Sequence, residues 1–286
     1  MTNSIEIRGL CKSYRDFALR DVSFTLPGGA IMGLIGENGA GKTTTIKCIL
    51  NLIDRDSGSI TLMGHDNLTE EQLVKQDIGV VLDECFFHDT LRPRDLCKIL
   101  APVWQDWDSG LFRDYLDKFK LPEKQFIKEF SRGMKMKLSL AAALAHRPRL
   151  LILDEATAGL DPVVRDEILE EFLSFICDED HAILLSSHIT SDLEKVADYI
   201  TYLHQGQVVL SDAKDQILEH YGRVGCTAGQ LEQIDPGDLL RVRKGSFGCE
   251  ALVADRSAFG QKYRHLLVEK TTLEDIMLFI GKGNQK

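Results

Sequence analysis

The chain has 286 residues, of which 44% are hydrophobic and 27% charged, and its formal net charge is −10. Those figures exclude disordered and fibrous classes, allow one large domain with an appendage, and argue against duplex DNA or RNA as a main partner, because nucleic-acid affinity rests on basic surface. The seven cysteines are scattered and show no C-x-x-C spacing, so free thiols in a reducing cytosol are expected; no leader-like start or spanning apolar run is visible, so any membrane link is expected through a partner.

Ile5 to Leu10 alternates apolar and polar residues, and Val22 to Leu26 does the same before the turn at Pro27, Gly28 and Gly29. That pattern predicts an antiparallel edge sheet. Tyr14, in the loop between the two runs, is a candidate platform for stacking a base. The apolar run Ala30 to Ile35 then leads into G-E-N-G-A-G-K-T-T, Gly36 to Thr44, and a second apolar run, Ile46 to Leu52, follows. The stretch fits G-x-x-x-x-G-K-[ST] at Gly36, Gly41, Lys42 and Thr43, after a buried strand and at a helix start, where a phosphate-binding loop must sit. Gly36, Gly39 and Gly41 permit the tight turn. The loop amides, those of Asn38, Ala40 and Thr44 among them, then aim at a phosphate with the positive end of the helix behind them. Lys42 is expected on the β/γ-phosphates, and Thr43 offers a hydroxyl to Mg²⁺.

Asp56 to Gly64 reads as turn, short strand and turn, and Ile78 to Leu82 is an apolar run that ends at Asp83 and Glu84. Between Cys85 and Ala145 the sequence turns helical, with Pro93 near a helix start and Trp104 close to Trp107; this predicts an inserted helical lobe. Inside it, Ser131 to Ala145 begins with a capping residue and continues as a good helix former. Ser131 and Gly133 therefore sit where a helix N-terminus can hold an anion, although capping alone would account for the serine. Leu150 to Asp154 is a short buried strand ending in the acidic pair Asp154 and Glu155, which points to metal and water handling. Gly159 to Pro162, G-L-D-P, turns into a helix over Val163 to Cys177. Ala182 to Ser186 is a further buried strand, and His188 follows it. Ligands of parallel sheets gather at the carboxyl ends of strands, and three such ends carry the phosphate loop, Asp154/Glu155 and His188.

Ile200 to Leu203 and Gln207 to Leu210 predict a hairpin, Ala213 to Tyr221 a helix, and Gly222 to Gly237 a domain boundary. Strand-like runs follow at Leu239 to Val242, Ala251 to Val253 and Leu266 to Val268, and then a helix opening T-T-L-E at Thr271 to Glu274. On that helix Leu273, Ile276, Met277 and Ile280 form an apolar stripe that must be covered. Residues 222–286 are too few for a fully independent core, so they are expected to pack on the main domain or on a second copy.

In this order the motifs resemble the nucleotide-binding subunit of an ABC transporter over roughly residues 1–220. The phosphate loop, the S-x-G segment opening a helix, L-L-I-L-D-E, G-L-D-P and S-S-H look like that family's Walker A, signature, Walker B, D-loop and H-loop. Within the family, S-R-G-M-K-M-K-L and the C-terminal appendage look most like stand-alone ATPase subunits of bacterial drug or peptide exporters. The resemblance implies an α/β P-loop (RecA-like) core with an antiparallel β subdomain, an inserted helical lobe at about residues 85–145, and a small α+β appendage. It divides the chain into an ATPase domain, residues 1–221, and an accessory segment, residues 222–286.

The resemblance also implies ATP with Mg²⁺. Thr43, Asp154 and, through water, Asp83 would organise the metal, Glu155 would polarise the attacking water, and His188 would bond the γ-phosphate. Tyr14 would stack on adenine, Ser131 and Gly133 would close over the ATP of a second copy, and Asp161 would lie at the dimer seam. A separate membrane-spanning subunit, export, and a cytoplasmic place at the inner face of the membrane follow by the same resemblance, with no nucleic acid. In that family a short helix of the membrane subunit docks beside the Asp83 loop, so at least one of Phe86 and Phe87 is expected exposed there. Three departures stand out: Arg132 and Met134 within the signature, Asp83 where glutamine is usual, and Ala156 where proline is usual. The competing readings are an ABC ATPase acting on ribosomes or DNA, and an ordinary P-loop kinase or GTPase. The chain lacks paired ATPase units, long coiled coils and N-K-x-D.

Overall fold

The computed structural model describes residues 3–245 and 248–282. The chain opens with β1 (Asn3–Ser13), β2 (Ala18–Pro27), β3 (Ile31–Ile35), α1 (Lys42–Ile49), β4 (Ser57–Leu62), β5 (His65–Asp66), α2 (Glu71–Gln76) and β6 (Ile78–Val81). Three helices follow, α3 (Pro93–Leu100), α4 (Ser109–Lys118) and α5 (Arg132–Leu144). The chain then continues as β7 (Leu150–Asp154), α6 (Pro162–Phe175), β8 (Ala182–Ser187), α7 (Thr190–Val196), β9 (Tyr199–His204), β10 (Gln207–Ala213) and α8 (Lys214–His220). It closes with β11 (Gly222–Cys226), α9 (Ala228–Leu231), β12 (Arg241–Gly245), β13 (Gly248–Val253), α10 (Arg256–Lys262), β14 (Val268–Lys270) and α11 (Leu273–Lys282).

Among the described residues the strands form three sheets, ordered β2-β1-β4-β5, β10-β9-β3-β8-β7-β6 and β12-β13-β11-β14. In the second, β9, β3, β8, β7 and β6 are parallel, and β10 is the antiparallel hairpin partner of β9. Every residue of β3, β7 and β8 is buried. A parallel strand covered on both faces needs no polar alternation, which is why these three read as unbroken apolar runs. Side chains such as Leu34, Ile152 and Leu184 are fully buried there, each worth about 1.5–3 kcal/mol of transfer free energy. The register sets Ile35 beside Ser187 and Asp154 beside Ser186, so the carboxyl ends of three strands open onto one edge.

The helical lobe starts and stops where local chemistry dictates. Pro93 occupies the first turn of α3, where its missing amide proton costs nothing. The Asp108 carboxylate caps α4 by accepting from the amides of Gly110 and Leu111, and the Ser131 hydroxyl caps α5 by accepting from the Met134 amide. Phe112, Leu116 and Leu138 bury the lobe into the same core as Leu153 and Leu185. Among the described residues no helix is long and apolar enough to cross a membrane. All seven cysteines are free thiols.

The stretch Gly222 to Gly237, expected as a boundary, instead carries β11 and α9. Its glycines read as breakers, yet β11 lies between β13 and β14, and a Cβ on Gly222 would stand 2.7 Å from the Val268 side chain. Glycine is there because a neighbouring strand approaches closely. The appendage also has a small core of its own, with Val224, Ala251, Val253, Phe259 and Tyr263 at its centre. It docks within the chain: Leu252 and the α11 residues Leu273, Ile276 and Phe279 join the main core. The Leu273 amide donates to Glu194 Oε1 at 2.8 Å, and the Tyr202 hydroxyl donates to the Met277 carbonyl at 3.3 Å. The buried face is centred on Phe279, which the sequence stripe omitted, while Met277 and Ile280 flank it half-buried.

Candidate functional site

The turn from β3 into α1 is tied down by its own backbone: the Ala40 amide donates to the Glu37 carbonyl at 3.0 Å, and the Gly206 amide donates to the Ala40 carbonyl at 3.0 Å. A Cβ on Gly36 would lie 2.5 Å from the Leu203 carbonyl oxygen. Gly41, at φ +113, ends the loop where a Cβ would lie 2.5 Å from Leu19. At Gly36 a side chain would require the backbone to move, and at Gly41 it would be strained by the positive φ and would displace Leu19 and Phe17. Lys42 begins α1 and is buried, its ammonium donating to the Gly36 carbonyl at 2.8 Å and the Glu37 carbonyl at 3.4 Å.

The facing wall comes from the ends of β7 and β8. Asp154 is buried and accepts from the Ser186 hydroxyl. Glu155 has φ 53, a left-handed backbone that non-glycine residues rarely adopt. Its amide holds that geometry by donating to the Ser186 carbonyl at 3.1 Å and hydroxyl at 3.2 Å. The carboxylate is then gripped from both sides, with Lys42 Nζ 3.3 Å from Oε1 and His188 Nδ1 2.6 Å from Oε2. A carboxylate fixed in this way beside a phosphate loop can orient a water and take its proton.

Between the walls lies a cleft of about 640 Å³. It gathers Asn38, Gly39, Gly41, Lys42, Thr43, Thr44, Asp83, Glu155 and His188 from the residues singled out in the sequence. Gly36 and Ala40 are buried beneath the loop, and Asp154 is buried in the wall. Tyr14, Ser131, Gly133 and Asp161 do not line this cleft. Tyr14 is exposed, with the Lys12 ammonium 5.6 Å from its ring centroid, whereas Phe17 of the same loop packs on the Gly41 side and does line it. Ser131 and Asp161 cap α5 and α6, the Asp161 carboxylate accepting from the amides of Val163 and Val164. Gly133 lies under Val164. Sequence reasoning missed Asp16, Phe17, Glu37, Arg132 and Ala158 as lining residues. Phe17 had a signal, an aromatic three residues past Tyr14; Arg132 lay between two residues already named.

The oxygen donors here are the Thr43 hydroxyl and the carboxylates of Asp83 and Asp154. Among the described residues no group of three or more His, Cys, Asp or Glu side chains can hold a metal by itself. That donor set fits Mg²⁺, which is held by one or two protein oxygens together with phosphate and water. It does not fit a metal that needs a closed protein cage.

Beside Asp83 an apolar groove of about 220 Å³ is lined by residues that include Val81, Phe86, Phe87, Trp104, Ala142 and His146. Phe86 is 72% exposed and Phe87 is half-buried. Trp104 stacks on His146 with centroids 3.9 Å apart, and His146 Nε2 lies 3.1 Å from the Ile78 carbonyl. Burial pushes the His146 pKa below its usual 6.5. The unfolded chain takes up a proton near 6.5 while the folded chain resists, so this contribution to stability is present above that pH and is lost as the pH falls through the folded pKa. Melting temperature should therefore drop more between about pH 7 and pH 5.5 for the parent than for His146→Gln. Equal slopes in a fluorimetric melt would remove His146 from the pH response.

The family profile described as ABC transporter matches residues 19–158. The ABC transporter ATP-binding protein YtrB of Bacillus subtilis is 33% identical over 221 residues, covering 77% of this chain and 75% of YtrB. The lantibiotic transport ATP-binding protein SrtF of Streptococcus pyogenes is 36% identical over 214 residues, covering 74% of this chain and 91% of SrtF. A solved ATP binding subunit of an ABC transporter aligns with a TM-score of 0.68 at 28% identity, over 74% of this chain and 91% of that one.

Proposed function

This chain belongs to the ABC transporter family as an ATP-binding, ATP-hydrolysing subunit, and we propose that its cleft is a Mg²⁺-dependent site completed by a second copy and coupled to a separate membrane subunit in export. The observation that carries the reading is Glu155, held between Lys42 and His188 at the mouth of the phosphate loop. With nucleotide bound, Lys42 exchanges Glu155 for the β/γ-phosphates, which frees Oε1 to accept a hydrogen bond from water. His188 keeps Oε2 in place and offers its other ring nitrogen to the γ-phosphate. Thr43 and Asp154, with Asp83 through water, would hold Mg²⁺, which neutralises phosphate charge. We assign adenine to the β1–β2 loop at Phe17, in place of Tyr14, because Phe17 is the aromatic that lines the cleft.

Ser131, Gly133 and Asp161 sit outside their own cleft at the starts of α5 and α6, so in our reading they meet the ATP and the D-loop of a second copy. Chelation with EDTA should stop phosphate release, added Mg²⁺ should restore it, and specific activity should rise with protein concentration because the active form is a pair. Activity indifferent to both would overturn the proposal.

The groove beside Asp83 is assigned to a short helix of the membrane subunit, which would hold the chain at the inner face of the cell membrane. Phe86 is its exposed apolar residue. Phe86→Asp should abolish co-purification with a membrane protein co-expressed from the neighbouring reading frame, while ATP affinity at the separate cleft is kept. Undiminished co-purification would place the contact elsewhere.

A further inference from the structure

Resting on the nucleotide reading above, we infer that Arg132 binds the terminal phosphate of the ATP held in its own subunit, in addition to whatever the α5 start offers a second copy. Arg132 is the first residue of α5 and lines the cleft together with Lys42, Glu155 and His188. Its guanidinium lies over Gly159, where a Cβ would stand 3.1 Å from Cζ, 3.2 Å from Nη1 and 3.4 Å from Nε. Gly159 has φ +68, so the loop after Glu155 uses a residue that both tolerates this backbone and leaves room for the guanidinium. A Cβ at position 159 would crowd the guanidinium and oblige it to shift by a few tenths of an ångström.

Charge explains what the guanidinium is for. The cleft is lined by the carboxylates of Asp16, Glu37, Asp83 and Glu155, against the cations of Lys42 and Arg132. Lys42 has to give up Glu155 to reach phosphate, and it also serves two loop carbonyls. Among the described residues the Arg132 side chain has no hydrogen-bond or ion-pair partner. It is thus the lining cation whose charge is open to an anionic ligand, and its planar fork suits phosphate oxygens. Position selects the phosphate. Gly159, which the guanidinium covers, follows directly on Ala158, whose amide donates to the Glu155 carbonyl at 3.0 Å, so Arg132 borders the loop of the carboxylate assigned to the attacking water, whereas Phe17 packs at Gly41. The inference gives the arginine in the signature a task that glycine cannot perform.

The test compares the parent with Arg132→Gly, Arg132→Ala and Arg132→Lys by displacement of a fluorescent nucleotide, at concentrations where light scattering shows single copies. ATP affinity in the glycine and alanine variants should fall about tenfold, the size of a lost charge-assisted contact, and ADP affinity by less than about twofold, with partial recovery in the lysine variant. Melting temperatures equal to the parent's would exclude misfolding as the cause. Equal losses for ATP and ADP, or no loss for either, would overturn the inference. Intact single-copy affinity with weakened ATP-driven pairing would move Arg132 to the second copy's site and equally overturn it. If the parent itself binds no ATP as a single copy, the nucleotide reading fails first, an outcome the variants cannot mimic.

Discussion

Glu155→Gln should bind ATP about as tightly as the parent and hydrolyse it about 10²- to 10⁴-fold more slowly, the range lost with a positioned general base. The amide keeps the shape of the carboxylate and can still bond His188, but it cannot take a proton from water. The substitution also removes the negative charge that faces Lys42 at 3.3 Å, so the lysine gives up less when it turns to phosphate. Affinity should consequently be unchanged or raised. Rapid-quench measurement of phosphate release, beside equilibrium binding, separates the two effects. Turnover within tenfold of the parent would assign the base to another group.

The second large effect is at Lys42. Lys42→Ala removes a buried ammonium that serves two loop carbonyls and Glu155, and with it the cation we propose for two phosphates. Each charge-assisted contact is worth about 1.5–3 kcal/mol, so two of them correspond to a loss of at least about 100-fold in ATP affinity. Ligand at a hundredfold excess over its dissociation constant stabilises a fold by about 2.7 kcal/mol. That stabilisation is measurable in a thermal melt. It should disappear in Lys42→Ala at the same ATP concentration. A preserved ATP-induced shift would mean that phosphate is held elsewhere.

The residues that make these predictions possible were legible because their signals are local. The phosphate loop needs glycines and a lysine at fixed offsets, the ends of β7 and β8 follow apolar runs, and Ser131 and Asp161 are capping residues at the starts of their helices. Side-chain direction was not legible. Tyr14 and Phe17 share one loop, and only the approach of that loop to Gly41 turns Phe17 inward. Arg132 read as a disturbance of the signature because its reach over Gly159 depends on how α5 meets the loop after β7. β11 was hidden because its glycines read as breakers, while Gly222 answers to a neighbouring strand. The appendage carries a related lesson. With Leu273, Ile276 and Phe279 in the main core and Gly281 beside the Glu37 carboxylate, removing residues after Tyr221 would uncover the core around Tyr202, so the segment cannot be treated as detachable.

The central claim is that one copy supplies the phosphate loop and Glu155 while a second supplies Ser131 and Gly133. Static light scattering of Glu155→Gln tests it most directly, because slowed hydrolysis should let that variant accumulate the ATP-bound state. With ATP and Mg²⁺ the scattering mass should double and stay doubled, and with ADP, or with Ser131→Arg introduced as well, it should remain that of a single copy. A single-copy mass at every ATP concentration that saturates binding would contradict the account.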